Sequence, residues 1–226
     1  MKKLALFDID GVIYDGHSIF DLIQDEEKRG FIKKGLWDEI LKLLDKYKSG
    51  KIDYKEAADV MLLRYSTYLV GKNYYELVKE NVDFISRFKE KIFPYFSNLI
   101  SELKKTHDIY FITTNFDMTA EAFTKYFRLK GFLSSKIGTT NGIINGKMDL
   151  SLGGNKGIVT DLIVKYGEVG SIAVGDSEND ADMLEKVEYP LVMEPKEKLE
   201  TIAREKGWEI VNRDTITGII MTHVKE

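Results

Sequence analysis

The chain has 226 residues, with 33 basic and 37 acidic side chains, a formal net charge of −4 and no cysteine. This length suits one core domain with an insertion, and the lack of cysteine excludes disulfides, thiolate metal sites and cysteine nucleophiles. The charges are interspersed, and no apolar run approaches the ~20 residues of a membrane span. We therefore expect a cytoplasmic protein, monomeric or homodimeric, without a nucleic-acid or membrane partner.

The first predicted element is a strand over residues 4–7 that leads into Asp8, Ile9, Asp10 and Gly11. Its residues are all apolar, which is typical of a strand covered on both faces in a parallel sheet. Ligands of such sheets bind at the carboxyl ends of strands. Side chains alternate along a strand, so Asp8 and Asp10 would point the same way, and Gly11 lets the backbone turn. Taken alone, the pattern also fits a solvated strand end.

Helical periodicity then replaces strand character over residues 15–92. Apolar residues recur there at three- and four-residue spacing, which predicts several amphipathic helices. We interpret this stretch as an inserted helical cap domain, and residues 1–14 and 93–226 as the two parts of an α/β core.

Capping signals mark where helices of the insertion begin. Asp53 and Asn73 each precede a glutamate by three positions, a pattern that satisfies free amides at a helix start. Helices are therefore predicted to begin near Tyr54 and Tyr74. Pro94 is predicted to start the helix that returns the chain to the core, because proline suits the first helical position.

The rest of the chain alternates strands and helices, which predicts a doubly wound, mostly parallel sheet. An apolar strand over residues 108–112 ends in Thr113 and Thr114. Another strand over residues 171–174 is followed by Gly175 and Asp176. Polar groups thus follow each of these strands where the chain leaves the sheet.

A small hairpin is predicted between those two strands. Asn145 and Gly146 lie between apolar arms at residues 143–144 and 147–148. An Asn-Gly pair favours a two-residue hairpin turn. Because this segment is predicted to hold only such short elements, it leaves no room for a second inserted domain. The helical stretch after the first strand is therefore the one large insertion that we expect.

The strand-end polar residues make chemical sense as one site. They occur in this order: Asp8 and Asp10, Thr113, Lys156, Asp176 and Asp180. A phosphoryl group needs cations and hydrogen-bond donors around its oxygens, and Mg²⁺ prefers oxygen ligands. Three neighbouring carboxylates would repel one another unless a metal ion and a lysine neutralised them.

This order and spacing resemble the haloacid dehalogenase superfamily of phosphohydrolases over essentially the whole chain. The resemblance implies that Asp8 is the nucleophile, forming an aspartyl-phosphate, and that Asp10 is the general acid and base. It implies four phosphate-binding residues: Thr113, Thr114, Lys156 and Asn179. It also implies a Mg²⁺ site from four acids: Asp8, Asp10 (through its backbone carbonyl), Asp176 and Asp180. Asp180 either supports the metal or caps the following helix, and Val12 replaces a threonine common in the family.

The position of the insertion resembles the phosphoserine-phosphatase-like branch. In that branch a glutamate after the first motif and a cap arginine bind the amino acid, and these positions fall on His17 and Met61. Neither residue replaces those charges, so we expect a larger or less polar phosphomonoester, with Met61, Tyr65 or Tyr68 lining the pocket. The alternative is that Arg64 binds the carboxylate and His17 is a surface residue.

The leading hypothesis is a Mg²⁺-dependent phosphatase that hydrolyses a small phosphomonoester and does not prefer phosphoserine. A phosphoserine phosphatase and a sugar phosphomutase remain as alternatives. A signalling switch phosphorylated on aspartate is a further reading, against which the insertion argues, because receiver domains are single compact modules.

Overall fold

The computed structural model describes residues 2–153 and 156–225. Within these residues seven strands form one sheet: β1 (Lys3–Phe7), β2 (His107–Phe116), β3 (Gly131–Thr140), β4 (Ile143–Leu150), β5 (Ile172–Gly175), β6 (Tyr189–Met193) and β7 (Glu209–Val211). The order across the sheet is β4-β3-β2-β1-β5-β6-β7. Neighbouring strands are parallel except for β3 and β4, which are antiparallel.

Helices cover the sheet and fill the insertion. Those of the described chain are α1 (Ser18–Lys28), α2 (Leu36–Lys48), α3 (Tyr54–Tyr68), α4 (Tyr74–Arg87), α5 (Pro94–Leu103), α6 (Asp117–Phe127), α7 (Thr160–Tyr166), α8 (Ala181–Leu184), α9 (Glu197–Lys206) and α10 (Ile216–His223). The predicted α/β class with a doubly wound, mostly parallel sheet and added helices is confirmed. Among the described helices, none has the length and apolar character needed to cross a membrane.

Strand β1 lies at the centre of the sheet, and its sequence explains why. Leu4, Ala5, Leu6 and Phe7 are all fully buried. Ala5 and Phe7 belong to the apolar core on one face of the sheet, and Leu4 and Leu6 to the core on the other. From β1 the strands β2 to β4 are added on one side and β5 to β7 on the other, so the strand order changes direction at β1 while the strands there stay parallel. Ligands of open α/β sheets bind beside such a reversal.

Two helices of the insertion, α3 and α4, begin where the sequence predicts. The Asp53 carboxylate accepts a hydrogen bond from the Glu56 amide at 2.8 Å, and the Asn73 side chain accepts one from the Tyr75 amide at 2.9 Å. These caps fix the starts of α3 and α4. Pro94 is the first residue of α5, also as predicted.

The chain enters and leaves the insertion at adjacent points. The Asp15 amide donates to the Lys91 carbonyl at 2.7 Å, and the Phe93 amide donates to the Ile13 carbonyl at 2.9 Å. The hydroxyl of Tyr95 donates to a carbonyl of the incoming segment at 2.5 Å. We call this pair of segments, residues 12–15 and 91–95, the junction.

The hairpin turn lies about four residues earlier in the chain than the sequence predicted. Strands β3 and β4 are joined at Asn141 and Gly142, whose φ angles are 53° and 76°. The Asn145-Gly146 pair was the wrong choice, because it lies inside β4 where the pairing shifts register. Strand β3 is paired in parallel with β2 along its first half, and this anchoring sets where the turn falls. Both pairs have Asn-Gly turn chemistry, so local sequence could not choose between them.

Candidate active site

Three segments bring the predicted acids and the lysine into one buried cluster. Asp8 follows β1, Asp176 follows β5, and both side chains are almost inaccessible to solvent. Asp180 is completely buried in the next turn. Carboxylate oxygens of these three residues lie within 4.8 Å of one another. The Lys156 side chain reaches this cluster from the other side.

Lys156 joins two of the acids. Its Nζ lies 2.8 Å from Oδ1 of Asp8 and 2.6 Å from Oδ1 of Asp180, and its side chain is only 2% exposed. Burial alone would lower the pKa of Lys156, but the two carboxylates outweigh burial and raise it. The lysine is therefore a fixed cation beside the Asp8 carboxylate.

Asp180 shapes the loop that carries Asp176. Its Oδ2 accepts hydrogen bonds from the amides of Asp176 and Ser177, both at 3.0 Å, and with Ser177 it forms a capping box around the 3₁₀ turn Glu178–Asp180. Both carboxylate oxygens thus already have protein partners. Position 175 requires a glycine, because a Cβ there would overlap the Asp180 side chain. The sequence left open that Asp180 caps the helix after it, and this alternative is wrong, because the Asp180 side chain makes no capping bond to α8. It instead closes the turn that it ends and pairs with Lys156.

Asp176 contacts a cation that the sequence did not single out. Lys196 Nζ lies 2.9 Å from Oδ2 of Asp176, and the Lys196 amide donates to the Asp176 carbonyl at 3.0 Å. Burial, aided by Asp180, raises the pKa of Asp176. Burial also raises the pKa of Asp8, against the opposing effect of Lys156. Negative charge on these crowded acids is therefore disfavoured, and a bound cation would offset that repulsion.

Gly11 allows the loops after β1 and β5 to touch. Its φ is +79°, a left-handed conformation that favours glycine. A Cβ at this position would overlap the carboxylate of Asp176. The glycine is therefore required both for the turn after Asp10 and for the approach of Asp176.

Asp10 is held by groups from both the insertion and the core. Its Oδ1 accepts from the Ser18 amide at the start of α1 at 2.9 Å. Its Oδ2 accepts from Nδ2 of Asn115 at 3.4 Å, and the same amide group donates to the Ser18 hydroxyl at 2.9 Å. Asn115 directly follows Thr113 and Thr114 near the end of β2. Ser18 had no sequence signal, because its role depends on how α1 meets the sheet.

A small cavity of about 40 Å³ lies against this cluster. The predicted phosphate-binding residues Thr113, Thr114, Lys156 and Asn179 all line it, together with further groups: Asp8, Asp10, His17, Tyr54, Asp176, Ser177 and Lys196. Thr113 is buried and its Oγ1 accepts from the Asn115 amide at 3.2 Å, which orients the hydroxyl. The structure thus brings every predicted catalytic, phosphate and metal residue to one place.

The donor set suits Mg²⁺. Asp8 and Asp176 offer hard carboxylate oxygens, the ligands that this ion prefers. Their raised pKa values reflect burial and mutual repulsion, which a divalent cation between them would offset. Asp180 lies in the same group of acids, but its oxygens are engaged by Lys156 and backbone amides. The residues present therefore fit a magnesium ion held chiefly by Asp8 and Asp176.

A second cavity of about 360 Å³ lies between the insertion helices and the core. His17 and Met61, two of the predicted substrate residues, line it. It shares four lining residues with the small cavity: Asp10, His17, Tyr54 and Thr114. The two cavities therefore adjoin at these four residues, Asp10 among them.

The other predicted substrate residues lie away from this cavity. Tyr65 is fully buried and its hydroxyl donates to Glu26 at 3.0 Å. The Tyr68 hydroxyl donates to Glu39 at 2.9 Å, and the exposed Arg64 pairs with the same acid at 3.8 Å. Each helical turn advances about 5.4 Å, so residues one and two turns beyond Met61 lie past the end of the cavity.

Tyr54 is a site residue that the sequence did not reveal. It lines both cavities, as Thr114 does. Burial raises the pKa of Tyr54, so it keeps its proton at neutral pH. Asp53 could have pointed to it, since the cap that starts α3 also fixes the position of the next residue.

Comparison with known proteins agrees with this geometry. A family model described as haloacid dehalogenase-like hydrolase matches residues 2–188. The chain belongs to this family. No match was found among curated proteins. The fold of this hydrolase also resembles several solved structures, although all those described next share too little sequence to show more than the fold.

A protein of unknown function from Bordetella pertussis Tohama I has a TM-score of 0.76 at 20% identity, covering 94% of this chain and 99% of that one. A phospho-aspartyl intermediate analogue of phosphoserine phosphatase has a TM-score of 0.63 at 19% identity, covering 94% and 93%. A phosphoserine phosphohydrolase-like protein from Francisella tularensis has a TM-score of 0.64 at 17% identity, covering 92% and 94%. The hydrolase therefore has a fold similar to that of phosphoserine-phosphatase-like proteins.

Proposed function

We propose that this hydrolase is a Mg²⁺-dependent phosphatase that cleaves a small phosphomonoester through an aspartyl-phosphate on Asp8. The observation that carries the proposal is the small cavity bordered by the Asp8 carboxylate, the buried Lys156 cation and Asp10. An anionic phosphoryl group fits such a space because a nucleophile, a cation and a proton donor all border it.

Asp8 supplies the nucleophilic oxygen. The carboxylate attacks phosphorus, the bond from phosphorus to the ester oxygen breaks, and the phosphoryl group becomes attached to Asp8. Lys156, held 2.8 Å from Oδ1 of Asp8, provides positive charge for the phosphoryl oxygens. Mg²⁺ held by Asp8 and Asp176 would neutralise further charge on those oxygens.

Asp10 handles the protons of both steps. It protonates the departing alcohol oxygen, then removes a proton from the water that cleaves the aspartyl-phosphate. The hydrogen bonds from the Ser18 amide and Asn115 hold its carboxyl group in place. One carboxyl group can serve both steps because the second step returns it to its starting protonation state.

The insertion helices act as a cap in this proposal. Ser18 of α1 and Tyr54 of α3 reach the reacting groups, so these helices form one wall of the site. A covered site excludes water during the first step, which would otherwise compete with phosphoryl transfer to Asp8.

Phosphoserine is not the expected substrate. The positions that the resemblance assigns to amino-acid recognition hold His17 and Met61, and both line the larger cavity. Arg64, the alternative partner for a substrate carboxylate, lies outside this cavity and pairs with Glu39. A phosphomonoester with a less polar alcohol therefore suits the site better.

The test measures phosphate release from an aryl phosphate with and without Mg²⁺, in wild-type protein and in the Asp8→Asn and Asp10→Asn variants. We expect no turnover without Mg²⁺ or without Asp8. Asp10→Asn should still be phosphorylated, because an aryl leaving group needs little protonation, but should release phosphate slowly. Its acid-quenched protein should then carry one phosphoryl group, and Asp8→Asn protein none.

Equal turnover in all three proteins would contradict the proposal. Phosphate transfer to a sugar phosphate, in preference to water, would instead identify a phosphomutase. A phosphorylated Asp8 that persisted in wild-type protein would identify a signalling switch.

A further inference from the structure

The larger cavity is walled by matching faces of two insertion helices. On α3 the lining residues are Tyr54, Ala57, Ala58 and Met61. They recur at positions i, i+3, i+4 and i+7, and therefore form one face of the helix. A face of this kind usually packs against a neighbouring helix. Here the two alanines are too short to fill the space.

The facing wall comes from α2 and α1. On α2 the lining residues repeat the same spacing: Ile40, Leu43, Leu44, Tyr47 and Lys48. Ile19 and Phe20 of α1 complete the wall next to the core. An apolar space of about 360 Å³ remains between these faces, within the 300–1,000 Å³ range of ligand pockets. Such an unfilled apolar space weakens a fold, so its presence indicates a ligand.

Among the described lining residues, polar groups lie where the cavity meets the reacting groups and at its outer end, which holds Tyr47 and Lys48. Asp10, His17, Tyr54, Thr114 and Asn115 lie at the inner end. Asp10 is the single acidic residue among the described lining residues, and its Oδ1 already accepts a hydrogen bond. Lys48 lies at the exposed C-terminal end of α2. A charged or hydroxyl-rich alcohol would lose its hydration in the middle of this cavity without gaining partners.

We infer that the substrate alcohol is an uncharged, mainly hydrocarbon group that lies in the cavity between α1, α2 and α3. This inference rests on the proposed phosphatase function and names its substrate class. The phosphoryl group occupies the small cavity beside Asp8. The ester oxygen lies at the meeting point of the cavities, next to Asp10. The apolar group then extends along the alanine face of α3.

The alanine face sets which alcohols fit. Ala57 and Ala58 leave room that a larger side chain would occupy. Met61 is the last lining residue on that face. Burial of each additional methylene should raise catalytic efficiency about three- to fourfold until the cavity is full. A polar substituent on the same chain should remove that gain.

The first experiment measures kcat/KM with Mg²⁺ for ethyl, butyl and hexyl phosphate, and for phosphoserine and glycerol 3-phosphate. We expect a rise of tenfold or more from ethyl to butyl phosphate, and both polar esters should fall below butyl phosphate. A flat alkyl series, or a tenfold preference for either polar ester, would overturn the inference while leaving the phosphatase proposal intact.

A pair of variants then locates the binding site of the alkyl group. Ala58→Leu should reduce the butyl-to-ethyl ratio of kcat/KM at least fivefold, because the new side chain fills the cavity. Thr67→Leu enlarges an exposed residue of the same helix and should leave the ratio unchanged. Equal ratios in both variants would place the alkyl group elsewhere and overturn the inference.

Binding separates this inference from the catalytic proposal. Calorimetric titration of the Asp8→Asn protein with ethyl and butyl phosphate, in the presence of Mg²⁺, requires no turnover. Affinity that rises tenfold with chain length and falls in Asp8→Asn/Ala58→Leu protein would support the cavity assignment. If the wild-type protein then released no phosphate from any ester, only the phosphatase proposal would be wrong. Equal affinities for the two esters would overturn the cavity assignment.

Discussion

The strand ends and the insertion helices build their parts of the site in opposite ways. At the strand ends, buried charges neutralise one another through short contacts such as those between Lys156, Asp8 and Asp180. Between the helices, the wall is apolar and holds an open cavity, with small side chains at Ala57 and Ala58. In our proposal, the first arrangement carries out the reaction and the second binds the substrate alcohol.

The difference also explains how each part tolerates change. Removing one member of a buried charge cluster is strongly destabilising, because the remaining charges lose their partners. An apolar wall tolerates substitution of similar volume. We therefore expect large losses of activity from changes at the strand ends, and changes of preference from the insertion.

The largest effect is expected from Lys156→Met. Removing this cation leaves the carboxylates of Asp8 and Asp180 buried without it, which should cost about 3–5 kcal/mol of stability. Activity on an aryl phosphate should fall on the order of 10³-fold. Lys165→Met, an exposed substitution on α7, should change neither quantity. Similar results for the two variants, from denaturant unfolding and steady-state kinetics, would contradict the role given to Lys156.

Gly11→Ala should come next, because a Cβ there overlaps the Asp176 carboxylate. Displacing that acid should lower kcat/KM on the order of 10²-fold. Gly16→Ala is the matched control: its φ is also positive, +91°, but the added Cβ meets open space. It should cost about 1–2 kcal/mol of stability while activity per folded molecule stays unchanged. Equal loss of activity in both variants would attribute the effect to backbone strain alone.

Introducing charged side chains into the larger cavity should change the substrate preference. His17→Glu combined with Met61→Arg would supply an acid and a guanidinium at positions that line it. The ratio of kcat/KM for phosphoserine to that for butyl phosphate should rise roughly 10- to 100-fold. His17→Glu with Leu63→Arg, where Leu63 is an exposed residue of α3, should shift the ratio less. An unchanged ratio in the first variant would mean that the cavity does not hold the alcohol.

Glu26 should make the stability of the protein depend on pH. Burial raises the pKa of Glu26 to about 8, although the hydrogen bond from Tyr65 opposes this, and among the described residues Oε1 has no hydrogen-bond partner. The folded state therefore keeps a proton that the unfolded state releases at lower pH. Stability contributed by the neutral acid is complete below pH 4 and falls as pH rises toward 8.

Urea unfolding at pH 5, 6 and 7 measures this effect. The wild-type free energy of unfolding should decline by up to about 1.4 kcal/mol per pH unit relative to Glu26→Gln. Nearby charges of Glu80, Arg29 and Lys72 are present in both proteins. Glu56→Gln, an exposed change on α3, should retain the wild-type slope. Parallel curves for wild type and Glu26→Gln would show that Glu26 is ionised in the folded protein.

The smallest effect is expected from Arg64→Ala. Its side chain is 60% exposed and pairs loosely with Glu39, and exposed pairs contribute little. Substrate preference should change less than twofold. A tenfold loss of activity on phosphoserine alone would restore the alternative in which Arg64 binds the substrate carboxylate.

The sequence could predict the strand-end site because its parts are local. Asp8, Asp10 and Gly11 lie within four residues, and Asp176 directly follows an apolar strand. Parallel strands end at the same edge of a sheet, so strand ends that are distant in sequence could be placed together. The helix starts after Asp53 and Asn73 were equally local.

The cavity could not be predicted in this way. Its walls depend on how far α2 and α3 stand apart, which is a property of packing and not of either helix alone. Met61 and Tyr65 belong to the same apolar face, yet one lines the cavity and the other donates to Glu26 in the interior. Asn145-Gly146 shows the same limit, because pairing with β2 decided which Asn-Gly pair became the turn.

The junction connects the insertion to the core at a single place. Residues 12–15 and 91–95 run side by side and are tied by backbone hydrogen bonds, so the insertion begins and ends at nearly one point on the core. The entropy of closing such a loop grows only slowly with its length. Helices of different number or size could therefore replace α1 to α4 while the sheet and its acids stay in place. In our proposal, a change of the insertion would therefore change the substrate of the hydrolase without altering the groups that react.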